Sequence, residues 1–418
     1  MEFINTMGFT KMTHAQNTRW IVPLTMAACL LFIPGCASTS TSTSTSHKHD
    51  DAQQEVVSPG YRTERKYSTT SLRENWQYGD TTLDVALIAP SEHGIFPLII
   101  YLPGLGESAN GGILWRNTWA EAGYAVLSVQ PTTLGEAVWA SSQARNADFH
   151  ALSREYFSQS ALEARLKVVD YVIGETRRRA KTGMSGYAKL DMTRVAIAGF
   201  DLGAQTASII AGEKPKFANI RTGAWNVRAA ITLSPYANLA DGGLEQRYAA
   251  MTMPLLSITG TEDADPLDVT SPSLRRAPWQ YMPGGDKYLL LLEGGTHGLL
   301  AGSGMIDKNS PRETPSGGRK GKRGSGGGYT DGAMWREADF GGSGGGRRHG
   351  GHSSENSGGE RDSERNNPQT FNIKHIAAVQ SVSTAFLDAT VKSDPIAREW
   401  LTRNATQWLG DSAVLQGK

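Results

Sequence analysis

The chain has 418 residues, is 39% hydrophobic, and sets 42 Lys and Arg against 41 Asp and Glu for a formal charge of +1. That balance gives no ground for a nucleic-acid partner. Length and apolar content suffice for one large α/β domain with its own core.

In chain order, Lys11 and Arg19 precede an apolar run over residues 20–34, which Gly35-Cys36-Ala37-Ser38 follows. The run has the length of a signal-peptide core and falls short of the about 20 residues that cross a membrane. Ile33-Pro34-Gly35-Cys36 resembles the lipobox of bacterial lipoproteins, with proline inside the box as a departure. The resemblance implies that residues 1–35 are a lipoprotein signal peptide, that Cys36 carries lipid, and that the protein is anchored in a bacterial cell envelope. Residues 36–60, rich in Ser and Thr, read as a flexible tether. Of the 2 cysteines, Cys29 leaves with the signal and Cys36 is lipidated, so no disulfide or thiol nucleophile remains.

Residues 61–301 read as the main part of an α/β domain. Apolar runs over 81–90 (antiparallel), 96–102, 125–131, 194–199, 227–233, 254–259 and 287–293 are expected strands. Short helices over 116–122 and after residue 202, and one long helix over 151–178, separate some of them. The pattern predicts a mostly parallel central sheet with helices on both faces. Residues 302–370 turn rich in Gly and Arg and read as a disordered insertion. Residues 371–418 supply a C-terminal helix or helices that complete the domain.

Gly199-Phe200-Asp201-Leu202-Gly203 lies between an apolar strand and a small-residue helix. This is the setting of a nucleophile elbow, with aspartate where serine is usual. Strand order and elbow together resemble the α/β-hydrolase fold. That resemblance implies an oxyanion hole from the Leu202 amide and one amide of the Gly104-Leu105-Gly106-Glu107 turn, either Leu105 or Gly106. It also implies an acid after the seventh strand and a histidine after the eighth. Thr261-Glu262-Asp263-Ala264-Asp265 offers Asp263, with Asp265 and Glu262 as alternatives. Glu293-Gly294-Gly295-Thr296-His297 offers His297.

Aspartate needs no base to become nucleophilic, since its reference pKa is about 3.9. In haloalkane dehalogenases and epoxide hydrolases an elbow aspartate attacks carbon to form an ester, which a histidine-activated water hydrolyses. This sequence departs from those enzymes in three places: Leu202 stands where tryptophan follows the aspartate, Leu102-Pro103-Gly104-Leu105 replaces a His-Gly-x-Pro turn, and no cap fits between Leu233 and Pro254. The capless layout looks more like bacterial esterases of the dienelactone-hydrolase group.

Two expectations follow. The first is a membrane-tethered hydrolase using Asp201, His297 and Asp263 on a small ester, a related small molecule or a lipid-like substrate, with Asp201 as nucleophile or base. The second is a non-catalytic envelope lipoprotein that keeps the fold as a binding module. Ser234 and Ser108 are alternative nucleophiles that lie off the elbow. No cofactor or metal is expected, because His47, His49, His349 and His352 fall in linker-like segments.

Overall fold

β3 (Phe96–Leu102) reads Phe-Pro-Leu-Ile-Ile-Tyr-Leu, and every residue of it is buried. A strand apolar on both faces must be covered on both, and this one is. Ile99 and Tyr101 pack into one core with Trp115, Trp119 and Phe386, while Leu98, Ile100 and Leu102 pack into the other with Leu166, Val169 and Ile173. Each fully buried aliphatic side chain contributes about 1.5–3 kcal/mol.

The structure, a computed structural model, describes residues 60–216, 225–303 and 368–418. Signal segment 1–35, Cys36, nearly all of tether 36–60 and most of the 302–370 insertion lie outside those residues, as do His47, His49, His349 and His352.

Among the described residues one nine-stranded sheet forms from β1 (Thr69–Tyr78), β2 (Thr81–Pro90), β3, β4 (Ala125–Pro131), β5 (Leu190–Phe200), β6 (Val227–Leu233), β7 (Leu255–Glu262), β8 (Lys287–Thr296) and β9 (Ala413–Gly417). The spatial order is β1-β2-β4-β3-β5-β6-β7-β8-β9. Strands from β4 through β8 pair in parallel, and β1, β2 and β9 join antiparallel. The result is an α/β architecture with a mostly parallel sheet.

The helices are α1 (Ile113–Glu121), α2 (Ser142–Arg145), α3 (Phe149–Tyr156), α4 (Gln159–Lys181), α5 (Leu202–Ile210), α6 (Leu244–Tyr248), α7 (Ala277–Tyr281), α8 (His297–Leu300), α9 (Pro368–Val391), α10 (Pro395–Glu399) and α11 (Ala405–Leu409). One face of the sheet is covered by α1 and α9, and the other by α4 and α5.

Two local expectations are corrected. The long helix expected over 151–178 is two helices, because Phe157 turns into an apolar cluster and the Ser158 hydroxyl caps α4 by accepting from the Ala161 amide at 3.2 Å. The strand expected over 287–293 runs on as β8 through the glycines to Thr296, and α8 starts at His297. A side chain at Gly260 would run into the Gly295 carbonyl, so glycine lets β7 and β8 stay close there.

The β6–β7 connection holds only α6 and a single turn of 3-10 helix, leaving no room for a cap there. Cover comes instead from the β4–α4 connection, where Val138, Leu152 and Phe157 pack with Leu105, Leu202, Tyr236 and Leu267.

Candidate active site

Four parallel strands end in residues that carry chemistry. Asp201 follows β5, Ser234 follows β6, Asp263 follows β7 and His297 follows β8. The carboxyl ends of parallel strands are where open α/β sheets place their sites, since loops there converge without breaking the ladder.

Asp201 sits at φ 49°, ψ −110°, a conformation costing about 1–3 kcal/mol for a residue with a side chain. The turn is held by its surroundings. A side chain at Gly199 would strike Gly203, and one at Gly203 would strike the carbonyl of Leu102. Glycines at both positions thus let strand, turn and helix approach closely.

The Asp201 carboxylate does not hydrogen-bond His297. Its Oδ2 lies 3.5 Å from the Leu105 nitrogen, and the Leu202 amide also bonds the carboxylate. The resemblance implies Leu202 with either Leu105 or Gly106, and Gly106 is corrected: its N–H donates to the Leu134 carbonyl at 2.8 Å, so Leu105 is the amide beside the carboxylate. Gln130 secures the same turn by donating its side-chain amide to the carbonyls of Gly104 (2.8 Å), Glu107 (3.1 Å) and Leu134 (3.2 Å).

His297 and Asp263 meet, with 2.8 Å between Nδ1 and Oδ1. The Ser234 hydroxyl joins them, donating to Asp263 Oδ1 at 2.5 Å and lying 2.8 Å from His297 Nδ1. Thr259 donates to the other Asp263 oxygen at 2.7 Å. Placing the Nδ1 proton toward Asp263 leaves Nε2 as the free base of the ring. Ser234 is fully buried and on the acid side of the imidazole, so it orients the pair and has no access to a substrate. Ser108 is a turn residue whose hydroxyl accepts from the Asn110 amide.

Arg275, absent from the sequence reading, organises the acid loop. Fully buried, it donates to the carbonyls of Asp263 (2.8 Å) and Ser234 (3.0 Å) and pairs with Asp265 Oδ2 at 2.7 Å. Asp265 is therefore a loop anchor, also accepting from the amides of Leu267, Val269 and Thr270. Glu262 is exposed. Asp263 alone of the three acids touches His297.

Burial pushes the Asp201 carboxyl up, opposed by the charge of His297. Burial also works against the Asp263 charge, but the bond from His297 and the charge of Arg275 outweigh it and hold that carboxyl below its ordinary value. A second carboxyl stands nearby: Glu107 accepts from the Gly104 amide at 2.7 Å, and burial with the Asp201 charge pushes it up to about 7.

Arg165 was also missed. Its guanidinium bonds Thr206 Oγ1 at 3.0 Å, the Tyr156 carbonyl at 2.7 Å and Gln205 Oε1, all neutral groups. Burial lowers it to about 9, against the attraction of the Asp201 charge. Gln205 and Thr206 lie one turn beyond Asp201 on α5, so Arg165 both clamps that helix and supplies positive charge behind the elbow.

Trp115 and Trp119 are fully buried, their indoles donating to Leu300 and Ser383. Trp139 lies against Gly106, over the turn. Among the described residues no group of three or more His, Cys, Asp or Glu is placed to hold a metal.

Fold and site together define an α/β protein with a carboxylate–imidazole–carboxylate cluster at the ends of its parallel strands. No family model matches the chain, and no curated protein matches it.

Proposed function

We propose that this protein is a hydrolase of α/β-hydrolase type, tethered to a bacterial envelope membrane through Cys36, that works through a covalent ester on Asp201. The strand order and the strained aspartate between β5 and α5 support the family reading. The observation that carries the chemistry is the contact of Asp201 Oδ2 with the Leu105 amide, made together with the Leu202 amide.

The two amides that would receive a substrate's carbonyl oxygen in a serine enzyme here hold the nucleophile's own oxygen. Such a carboxylate suits attack on a saturated carbon R–X. The other Asp201 oxygen forms the new C–O bond while X leaves with the bonding pair. The ester's carbonyl oxygen then rests on the Leu105 and Leu202 amides. His297 Nε2 takes a proton from water, whose oxygen attacks the ester carbon, and the same amides hold the oxyanion. Collapse breaks the bond to the alkyl oxygen, which takes the His297 proton and leaves as R–OH, and the new carboxyl loses its proton to solvent to restore the carboxylate. Asp263 holds the ring and stabilises its charged form, as the buried acid of a triad does. Small alkyl halides fit this route directly, and small epoxides fit it when the opened ring oxygen takes a proton from water, giving a diol; attack on an ordinary ester carbonyl would instead give a mixed anhydride.

The test is intact-protein and peptide mass spectrometry of the His297→Gln variant exposed to short-chain epoxides, haloalkanes and esters. An adduct on the Asp201 peptide that persists in the variant and turns over in the wild type is expected.

One observation favours a second reading. Asp201 and His297 are each only 9% exposed. A closed site suits a non-catalytic envelope lipoprotein that keeps the fold as a binding module. No adduct in the variant and no turnover by the wild type would select it.

A further inference from the structure

A cavity of about 360 Å³ opens against α5, outside the cluster of Asp201, His297 and Asp263. Phe157, Leu162, Ile209 and Tyr236 form its apolar wall, and the Phe157 and Tyr236 rings stack at 5.4 Å. Its charged lining residues are Glu213, Asp241 and Arg247, two carboxylates against one guanidinium.

The polar end is incomplete. Glu213 is 4% exposed, and its Oε1 takes both bonds from Arg247, one at 3.0 Å from Nε and one from Nη2. Its Oε2 is buried and has no hydrogen-bond partner. A buried acceptor without a donor is costly and calls for one. No neighbour bonds it: Arg247 Nη1 donates to the Asn238 carbonyl, the Tyr236 hydroxyl donates to Asp241 Oδ2 at 2.6 Å, and the Tyr248 hydroxyl is buried without a partner of its own.

We propose that this cavity is a binding site for a small organic monocation, a primary ammonium on an aryl-alkyl body. The ammonium meets the vacant Glu213 oxygen, and the body lies against Phe157, Leu162, Ile209 and Tyr236. Charge selects the class: with Glu213 ionised the lining carries one net negative charge, and its one guanidinium is already paired with Glu213 and bonded to the Asn238 carbonyl. An anion would face two carboxylates with nothing to receive it. The aromatic wall suits a cation as well as its apolar tail. A volume of about 360 Å³ lies in the range of small-molecule sites and exceeds what one or two waters fill, at about 30 Å³ each. This site stands independently of the chemistry proposed for Asp201.

Binding depends on pH in a defined direction. Burial pushes Glu213 up to about 7, opposed by Arg247, with Asp241 adding to the rise. The other ionisable groups at this end are Tyr236, Tyr248 under the Arg247 guanidinium, and the exposed Lys214 and Lys216. The ammonium pairs with the ionised carboxylate, so affinity rises as pH climbs through about 7.

The experiment is calorimetric titration of the full chain with phenethylammonium chloride, using N-acetylphenethylamine as the neutral control. Saturable binding is expected, at least tenfold tighter at pH 8 than at pH 5.5, with at least a tenfold loss for the acetylated control and for Glu213→Gln. Because Glu213→Gln also strips Arg247 of its partner, Leu162→Trp serves as a second variant that fills the cavity and leaves the ion pair intact. It should lose binding while keeping the wild-type unfolding temperature. No saturable binding to the wild type, meaning a cavity filled by water only, overturns the proposal. So does equal affinity for the acetylated control, or undiminished binding by folded Leu162→Trp.

Discussion

Oδ2 of Asp201 lies 3.5 Å from the backbone nitrogen of Leu105, which on the proposed hydrolase reading is the place a substrate oxygen takes beside a serine. Replacing Asp201 by serine empties that place and leaves His297 and Asp263 behind the new hydroxyl. Asp201→Ser should hydrolyse p-nitrophenyl acetate at least about tenfold faster than Asp201→Ala, since one oxyanion donor alone is worth about 10²–10³ in rate. Equal rates in the two variants would count against Leu105 and Leu202 as the donors. Asp201→Asn should lose ester formation by about three orders of magnitude or more in the mass-spectrometric assay, with its far-UV circular dichroism unchanged.

Arg275 is buried among the Asp263 and Ser234 carbonyls and the Asp265 carboxylate. Arg275→Met strands Asp265 and frees the acid loop. Losing one partner of a buried pair costs about 3–5 kcal/mol. Urea unfolding should show a loss of that order, and the folded fraction should turn over more slowly because Asp263 no longer holds His297 in place. A variant as stable and active as wild type would remove Arg275 from this role.

Asp201, Asp263 and His297 were legible in the sequence because each lies on a glycine-marked connection straight after an apolar strand. Choosing Asp263 over Asp265 was not legible. The two acids lie two residues apart, and it takes Arg275 with the amides of Leu267, Val269 and Thr270 to hold Asp265 away from the histidine. Arg165 and Arg275 carried no signal, since a buried guanidinium is defined by carbonyls distant in the chain. Most parallel strands were visible as apolar runs. β1 was not, because its Arg73, Glu74 and Gln77 keep half of an edge strand polar, and β9 was too short to stand out. The break between α3 and α4 hid inside a continuous helical periodicity, where a single serine cap and a turned phenylalanine decide it.

Glu107 carries a pH signature. Burial and Asp201 lift its carboxyl from an ordinary 4.5 to about 7, so the folded protein holds this proton more tightly than the unfolded chain. Its contribution is present below about 4.5 and is lost as pH rises to about 7. Glu107→Gln removes the titration. Thermal unfolding should therefore find the variant gaining relative to wild type between pH 5 and pH 8. An offset independent of pH would refute the assignment.

Arg165 faces a related test. Among the described residues its bonded partners are neutral, and Asp201 is the charge that acts on it most. In Arg165→Met the Asp201 carboxyl loses a favourable cation and holds its proton to higher pH. The acid limb of adduct formation, followed by mass spectrometry in the His297→Gln background, should move upward in pH. A uniform fall in rate with no movement of the limb would reduce Arg165 to a clamp on α5.

The self-filled amide pair also determines which reagents can find this protein in a cell extract. Fluorophosphonates label hydrolases by presenting a phosphoryl oxygen to the very amides that Asp201 holds closed, and they require a hydroxyl to phosphorylate. An inventory built on such tags would pass over this chain. If Asp201 is the nucleophile proposed above, tags bearing an epoxide or a primary alkyl halide, which ask only for an ionised carboxylate and a turn that shelters its second oxygen, would retrieve it.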